Sequence, residues 1–394
     1  MTDLTTEPID PAATESTDGP EPGPGADLAS DPGTGRLAAR PLRRLIEAMP
    51  KTELHLHLDG SLRIDTALEL ARTRGVDAPR DWLGMSAALI APMPCADQAE
   101  LLRAFELPIA LMQDAEALER ITAELVETKA ADGVRYLEIR WGPLLHLEGG
   151  LSLADGIAAV CRGAGDAAHR TGTVVRLIST ALRSHDPDAN VLLAETAARF
   201  HDQGLTGWDL AGPEAAFPDP LVHAAAFEAA RAGGLRITIH AGEWGGAAQV
   251  RRALAVEPER IAHGPGAVDD PELCAELIAR RVTLDLCPTS NYQAGIVPSI
   301  AAHPLARLDR VGVSVTLSTD DTTVSDISLS EEYLNAVESI GLTLPELWSI
   351  DHRALDSAFA AEVDIAPLRG AFAAWGAGIP ELGQDRESGA RFAS

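Results

Sequence analysis

The sequence predicts an α/β fold of the closed (β/α)8 kind, a TIM barrel with a helical insertion after its first strand. Three observations carry that expectation. Eight short β-like runs recur along the 394 residues, alanine-rich stretches with helical spacing lie between them, and no GxGxxG follows any run. Strand alternating with helix implies parallel strands in βαβ units. Eight units are what a closed barrel needs, and the rival open sheet lacks its usual glycine-rich turn.

The first 36 residues hold eight acids against one arginine, with six prolines, five glycines and almost no large apolar side chain. Residues 1–38 are therefore expected to be a disordered acidic tail. They show neither the basic start nor the apolar stretch of a secretory signal. Residues 39–382 are expected to form one barrel domain, with 383–394 frayed. The eight runs are ELHLHL (53–58), VRYLEIRWGP (134–143), TVVRLISTAL (173–182), LTGWDLAG (205–212), LRITIHAGE (235–243), ERIAHG (259–264), VTLDLCPTSN (282–291) and VSVTLSTDD (313–321). Helical spacing between them is clearest in ADGIAAVCRGAGDAAHR (154–170) and PELCAELIARR (271–281).

The first run places Leu54, Leu56 and Leu58 on one face and Glu53, His55, His57 and Asp59 on the other. Helices cover the outside of a barrel, so the leucines are expected outward and the polar set inward. The same parity sets Ile237 and Ile239 against Thr238 and His240, and Leu284 and Leu286 against Asp285 and Cys287. It also sets Leu317 against Ser318 and Asp320. Glu138 and Arg140 share an inward face and could form a buried pair beneath the site. The insertion at 64–132 exceeds one helix and contains the amphipathic AELLRAFELPIALM (99–112), read either as core packing or as a hydrophobic lid over the barrel mouth.

Composition excludes some partners. A hydrophobic fraction of 46% with 23% charged residues suits a globular protein, and a net charge of −27 repels nucleic acid and anionic membranes. No apolar run approaches the roughly 18 residues that cross a bilayer. The four cysteines, Cys95, Cys161, Cys274 and Cys287, show no CxxC spacing and read as buried thiols of a cytoplasmic protein.

Barrel sites form at the C-terminal ends of the strands. Those ends carry His55 and His57, Asp209 and Gly212, His240 and Glu243, His263, and the pair Asp320–Asp321. Three histidines and a carboxylate (His55, His57, His240 and Asp320) share the inward parity. Buried together without a cation they would carry a large desolvation cost. Neutral imidazoles with one carboxylate and no cysteine suit Zn²⁺ with a position left open for water. Bridged two-metal barrels commonly use a carboxylated lysine. The only lysines, Lys51 and Lys129, precede strands, so one ion per chain is expected.

HLHLDGSLR, DLAG, HAGE, RIAHG, CPTSN and STDD, in this order over about 51–325, resemble the adenosine deaminase family of mononuclear, metal-dependent amidohydrolase barrels. The resemblance implies zinc-dependent deamination of adenosine or 2′-deoxyadenosine to inosine and ammonia, by attack of zinc-activated water at purine C6. It implies zinc ligands at His55, His57, His240 and Asp320. Glu243 would be the proton donor to purine N1, and His263 would orient and deprotonate the water. Asp321 would meet N7, the Gly212 backbone N3, and Asp59, with His57, the ribose hydroxyls.

Two departures bear on substrate. The family's acidic pair after DLAG is here Pro213–Glu214, and WGGAAQV follows HAGE in place of a glycine–proline turn. Asp59, where adenine-type relatives tend to carry glutamate, favours a nucleoside. Arg183 has no assigned role, and the other histidines, His303 among them, read as structural. Alternatives are another 6-aminopurine (adenine, methylthioadenosine or aminodeoxyfutalosine), a zinc amidohydrolase of a different substrate, and a metal-binding protein without turnover.

Overall fold

The computed structural model describes residues 39–382; the expected tails, 1–38 and 383–394, lie outside the described residues. Backbone contacts divide the chain between Arg44 and Leu45. Of the first unit the described part opens helix α1 (Ala39–Ala48), so the division falls inside that helix and not before residue 39. The second unit carries the barrel.

After β1 (Lys51–His57) the insertion forms α2 (Ile64–Arg74), α3 (Trp82–Leu89), α4 (Gln98–Arg103), α5 (Glu106–Leu111) and α6 (Ala115–Ala131). Then follow β2 (Val134–Trp141), α7 (Leu153–Thr171), β3 (Val174–Leu182), α8 (Pro187–Ala198), β4 (Leu205–Ala211), α9 (Ala224–Ala232), β5 (Arg236–His240) and α10 (Gly246–Ala253). The last three strands of the barrel and their helices are β6 (Arg260–Ala262), α11 (Pro271–Arg280), β7 (Thr283–Leu286), α12 (Pro288–Gln293), α13 (Leu305–Arg310) and β8 (Val315–Leu317). Helices α14 (Leu329–Glu338), α15 (Leu344–Ala354) and α16 (Glu362–Ala377) complete the described chain. Aspartate, serine or threonine side chains accept backbone N–H groups at many helix starts, as at Asp114 before α6 and Ser328 before α14.

All eight strands pair in parallel, in sequence order. The ring closes where Leu56 bridges Asp320: the His57 amide donates to the Asp320 carbonyl (2.7 Å) and the Asp320 amide to that of His55 (3.1 Å). The expected fold is therefore the observed one.

Three details depart from the sequence reading. The β1–β2 register shifts between Glu53 and Leu56, so strict alternation breaks there. Glu53 packs outward on Lys129 of α6 at 2.8 Å, while Leu54 joins Tyr136, Leu355 and Phe372 in an apolar cluster at the strand-start end. The seventh run is strand only to Leu286. Pro288 fits the first turn of α12, where its missing N–H is harmless, so Ser290 and Asn291 project from a helix. Lastly, Glu138 and Arg140 do not pair with each other. Arg260 takes Glu138 and lies 3.0 Å from Asp285, whereas Arg140 lies 3.4 Å from Asp209 and 3.7 Å from Asp285. Neighbours across strands, not along one, satisfy these buried charges.

Part of the insertion packs against segments that follow β5, β7 and β8. Ala91, Cys95, Leu101 and Ala104 pack on Ala294 and Val324, with Phe105, Trp244 and Ile296 at the edge. The Ala91 amide donates to Val324 O (3.0 Å) and the Cys95 amide to Gln293 O (2.7 Å), tying the segment to the loop that follows β8 and to the end of α12. Among the described residues no helix is long and apolar enough to span a membrane.

Candidate active site

The strand-end side chains meet at the mouth. His55 Nε2 lies 3.4 Å from His57 Nε2, which lies 3.2 Å from His240 Nε2; Asp320 Oδ1 is 2.9 Å and 3.4 Å from the first two. One ligand atom from each of the four fits within 4.8 Å of all the others. Donor atoms bound at about 2.0–2.1 Å around a tetrahedral zinc stand about 3.3 Å apart, so the spacing is that of a cation's ligands. Despite its proximity, Asp320 Oδ1 accepts no well-directed hydrogen bond. It faces a common point with the imidazoles and not one of them alone.

The electrostatics agree. Burial and Arg140 keep His55 well below the ordinary histidine value, hence neutral as a ligand must be. Asp320 stays ionised far below the carboxylate range: burial opposes this, but His55 and His263 outweigh it. At His57, 15% exposed, burial is overcome by the carboxylates beside it, Asp59 first, which push its value up to about 9. Such a field favours positive charge at this point, and a dication satisfies it. His240 Nδ1 donates to Asp209 at 2.9 Å, which aims Nε2 into the cluster, and Arg140 backs Asp209. Asp209 was noted at its strand end but had no role in the sequence reading; DLAG carried that signal.

Two residues of the site hold left-handed backbone although neither is glycine: Asp320 and His263, both at φ +67°. Strain of about 1–3 kcal/mol each, concentrated at two strand ends, aims these side chains inward. His263 Nε2 lies 3.7 Å from Asp320 Oδ2 and 3.9 Å from Glu243 Oε2, and Ser290 Oγ donates to Asp320 Oδ2 at 2.7 Å. Glu243 keeps 16% of its side chain open to the mouth. Burial first, then Asp320 and Glu214, raise its carboxyl to about 8.

Glu214, the acid that survives after DLAG, accepts the backbone N–H groups of Gly242 (2.7 Å), Trp244 (2.8 Å) and Gly245 (3.0 Å), clamping the loop that carries Glu243. Arg183 is a strut: it donates to the carbonyls of His240 (3.0 Å) and Phe217 (3.2 Å). Gly212 ends β4 at φ +102°, a conformation that favours glycine, against the Arg183 backbone. Asp59 Oδ1 lies 3.6 Å from His57 Nδ1. It and Asp321 Oδ1 are buried without a hydrogen-bond partner, as polar atoms awaiting a ligand are. Cys287 is buried inside the barrel, as expected.

Gly60, inside HLHLDGSLR, is a residue the sequence reading passed over. A Cβ there would fall 1.7 Å from Asp321 Oδ1, and the Gly60 carbonyl accepts from Thr323 (3.0 Å) and Val324 (3.1 Å), so the backbone is held. Gly60→Ala is expected to displace the Asp321 carboxylate and to cost about 1–3 kcal/mol in denaturant unfolding. An unchanged midpoint would contradict the close fit.

The sequence model of the adenosine deaminase family matches residues 50–371. An adenosine deaminase of Mycolicibacterium vanbaalenii is 39% identical over 335 residues, covering 80% of this chain and 92% of its own. Among solved structures, an adenine deaminase of Arthrobacter aurescens aligns with a TM-score of 0.77 at 26% identity, over 83% of this chain and 99% of its own. An amidohydrolase of Burkholderia ambifaria solved with bound Zn aligns with a TM-score of 0.78 at 28% identity, over 88% and 96%. Barrel, metal-type cluster and sequence agree: this chain belongs to the adenosine deaminase family, as a hydrolase acting on C–N bonds.

Proposed function

We propose that the chain hydrolyses the 6-amino group of a purine nucleoside, adenosine or 2′-deoxyadenosine, using one Zn²⁺ held by His55, His57, His240 and Asp320. The observation that carries this reading is the place of Glu243: a carboxyl whose value burial raises, beside a metal-type cluster and 3.9 Å from His263 Nε2. The ion, when bound, would lower the pKa of water to about 7 and so make a nucleophile available at neutral pH.

The chain's own groups supply the rest. Purine N1 must gain a proton as C6 becomes tetrahedral, and Glu243 can give one only while it is neutral. N7 only accepts, so its partner must donate. Burial and the Asp320 charge raise Asp321 well above the ordinary range, leaving it the proton it needs. Asp59 is the opposite case: His57 holds it ionised against its burial, ready to accept ribose hydroxyls. The Gly212 backbone meets N3. The sum is water plus aminopurine giving oxopurine plus ammonia, with the water's protons ending on the ring nitrogen and the leaving amine.

A panel of adenosine, 2′-deoxyadenosine, adenine, methylthioadenosine, aminodeoxyfutalosine and adenosine monophosphate, with ammonia release measured on zinc-loaded protein, tests this. The nucleosides are expected to give the highest kcat/KM. A preference for free adenine or the phosphate would overturn the nucleoside assignment, and no release from any of them would overturn deamination of these purines.

A further inference from the structure

A hydrogen-bond chain behind His263 has its direction decided at one end. The Leu305 backbone N–H, which can only donate, points at His303 Nδ1 at 3.2 Å. That nitrogen is therefore an acceptor, and the proton of neutral His303 sits on Nε2. His303 Nε2 faces Asn291 Oδ1 at 3.1 Å, and Asn291 Nδ2 faces His263 Nδ1 at 3.0 Å. An amide nitrogen donates, so His263 Nδ1 is an acceptor in turn. Neutral His263 then carries its proton on Nε2, the nitrogen turned toward Asp320 and Glu243. Both rings are buried, and a ring whose Nδ1 accepts a hydrogen bond has only Nε2 left to carry a proton. The polarity follows from the amide of Leu305, and it fixes which end of Asn291 faces which ring.

We propose that Asn291 and His303 are positioning residues that lock His263 in its Nε2–H tautomer, so that His263 meets the attacking oxygen as a hydrogen-bond donor and not as a proton acceptor. The identity of that oxygen rests on the deaminase reading; the tautomer does not. A nucleophile that is already ionised, hydroxide and not water, needs no base to take a proton from it before it attacks. A preorganised donor steadies and aims it, whereas an imidazole lone pair in the same place would repel it. The left-handed backbone of His263 and the seat of α12 serve this arrangement. Glu332 accepts the Thr289 amide at 2.8 Å and holds the first turn from which Asn291 projects. The lock has a second consequence. His263, Cys287 and Asp320 also lie close enough together to hold a cation. With an N–H turned inward, His263 offers no lone pair there, and Asp320 Oδ2 already accepts from Ser290, so the mouth keeps to one ion.

The test is nitrogen NMR of zinc-loaded protein labelled at histidine. In the wild-type chain His263 is expected to show a pyridine-type Nδ1 and a pyrrole-type Nε2. Asn291→Asp keeps the size and replaces the donor by an acceptor, so Nδ1 becomes protonated. Where Nε2 loses its proton, kcat falls by about 10²-fold or more while KM stays within a few-fold. If Asn291→Asp does not fold, His303→Phe removes the same constraint from one residue further back. His303→Gln, which can still donate to Asn291 Oδ1, is expected to keep the wild-type tautomer. A proton on Nδ1 in the wild-type chain overturns the proposal, as does a variant that loses the Nε2 proton at full kcat. Wild-type protein with the expected tautomer but no ammonia release from any purine would instead sink the deaminase reading and leave the lock standing.

Discussion

Glu243→Gln is expected to lower kcat by about 10²–10⁴-fold while the chain still takes up about one zinc ion. The amide keeps the size and hydrogen-bonding ends of the carboxyl but has no proton to transfer to N1. Glu243 lies outside the four-residue cluster, so metal content is expected to hold. The acid also sets a pH limb. A carboxyl raised to about 8 is a donor below that value and an anion above it, so kcat/KM falls as pH rises through the limb. A dication on the neighbouring imidazoles draws the limb below about 8. The same shift affects stability: the folded state holds this proton more tightly than the unfolded chain. Its contribution is therefore full below the unfolded value of 4.5 and lost as pH rises toward 8. Glu243→Gln removes that pH-dependent loss, so the variant should melt no lower than wild type at alkaline pH. Near-normal turnover in it would remove Glu243 from its role.

His240→Ala is expected to leave the chain without bound metal and without turnover. The imidazole stands 3.2 Å from His57 Nε2 and is aimed by Asp209, so its loss opens one side of the cluster. It also leaves Asp209 buried beside Arg140 without its hydrogen-bonded imidazole, which lowers stability as well. Asp209→Asn is the milder companion, with metal affinity down by about 10- to 100-fold and the ligands all present. Elemental analysis after dialysis against a chelator reads both. A His240→Ala protein that retained one ion and wild-type kcat would show that the cation, or the chemistry, lies elsewhere.

Much of the candidate site is legible in one dimension because its residues lie at strand ends in fixed motifs. HxH on the first strand, histidine closing the fifth and the aspartate pair after the eighth point into a common mouth once eight parallel strands close. That inference needs only periodicity and order. Glu243 and His263 were reached through the motifs HAGE and RIAHG, and both stand beside the cluster. His303 was not reached, since nothing local separates a histidine that polarises a neighbour from one that merely packs. Its meaning comes from Leu305 on one side and Asn291 on the other.

The sequence by itself determined the barrel and which strand-end histidines and aspartates face its mouth. These follow from strand parity and residue type, which are local properties. Only the tertiary structure decided the break in alternation at Glu53–Leu56, the pairing of Arg260 with Glu138 and of Arg140 with Asp209, the packing of Ala91, Cys95, Leu101 and Ala104 on Ala294 and Val324, and the tautomer of His263. Each depends on distances between strands or helices far apart in the chain. A buried charge or ring nitrogen takes whichever partner the closed ring brings within about 3 Å, and no pattern along one segment records which that is.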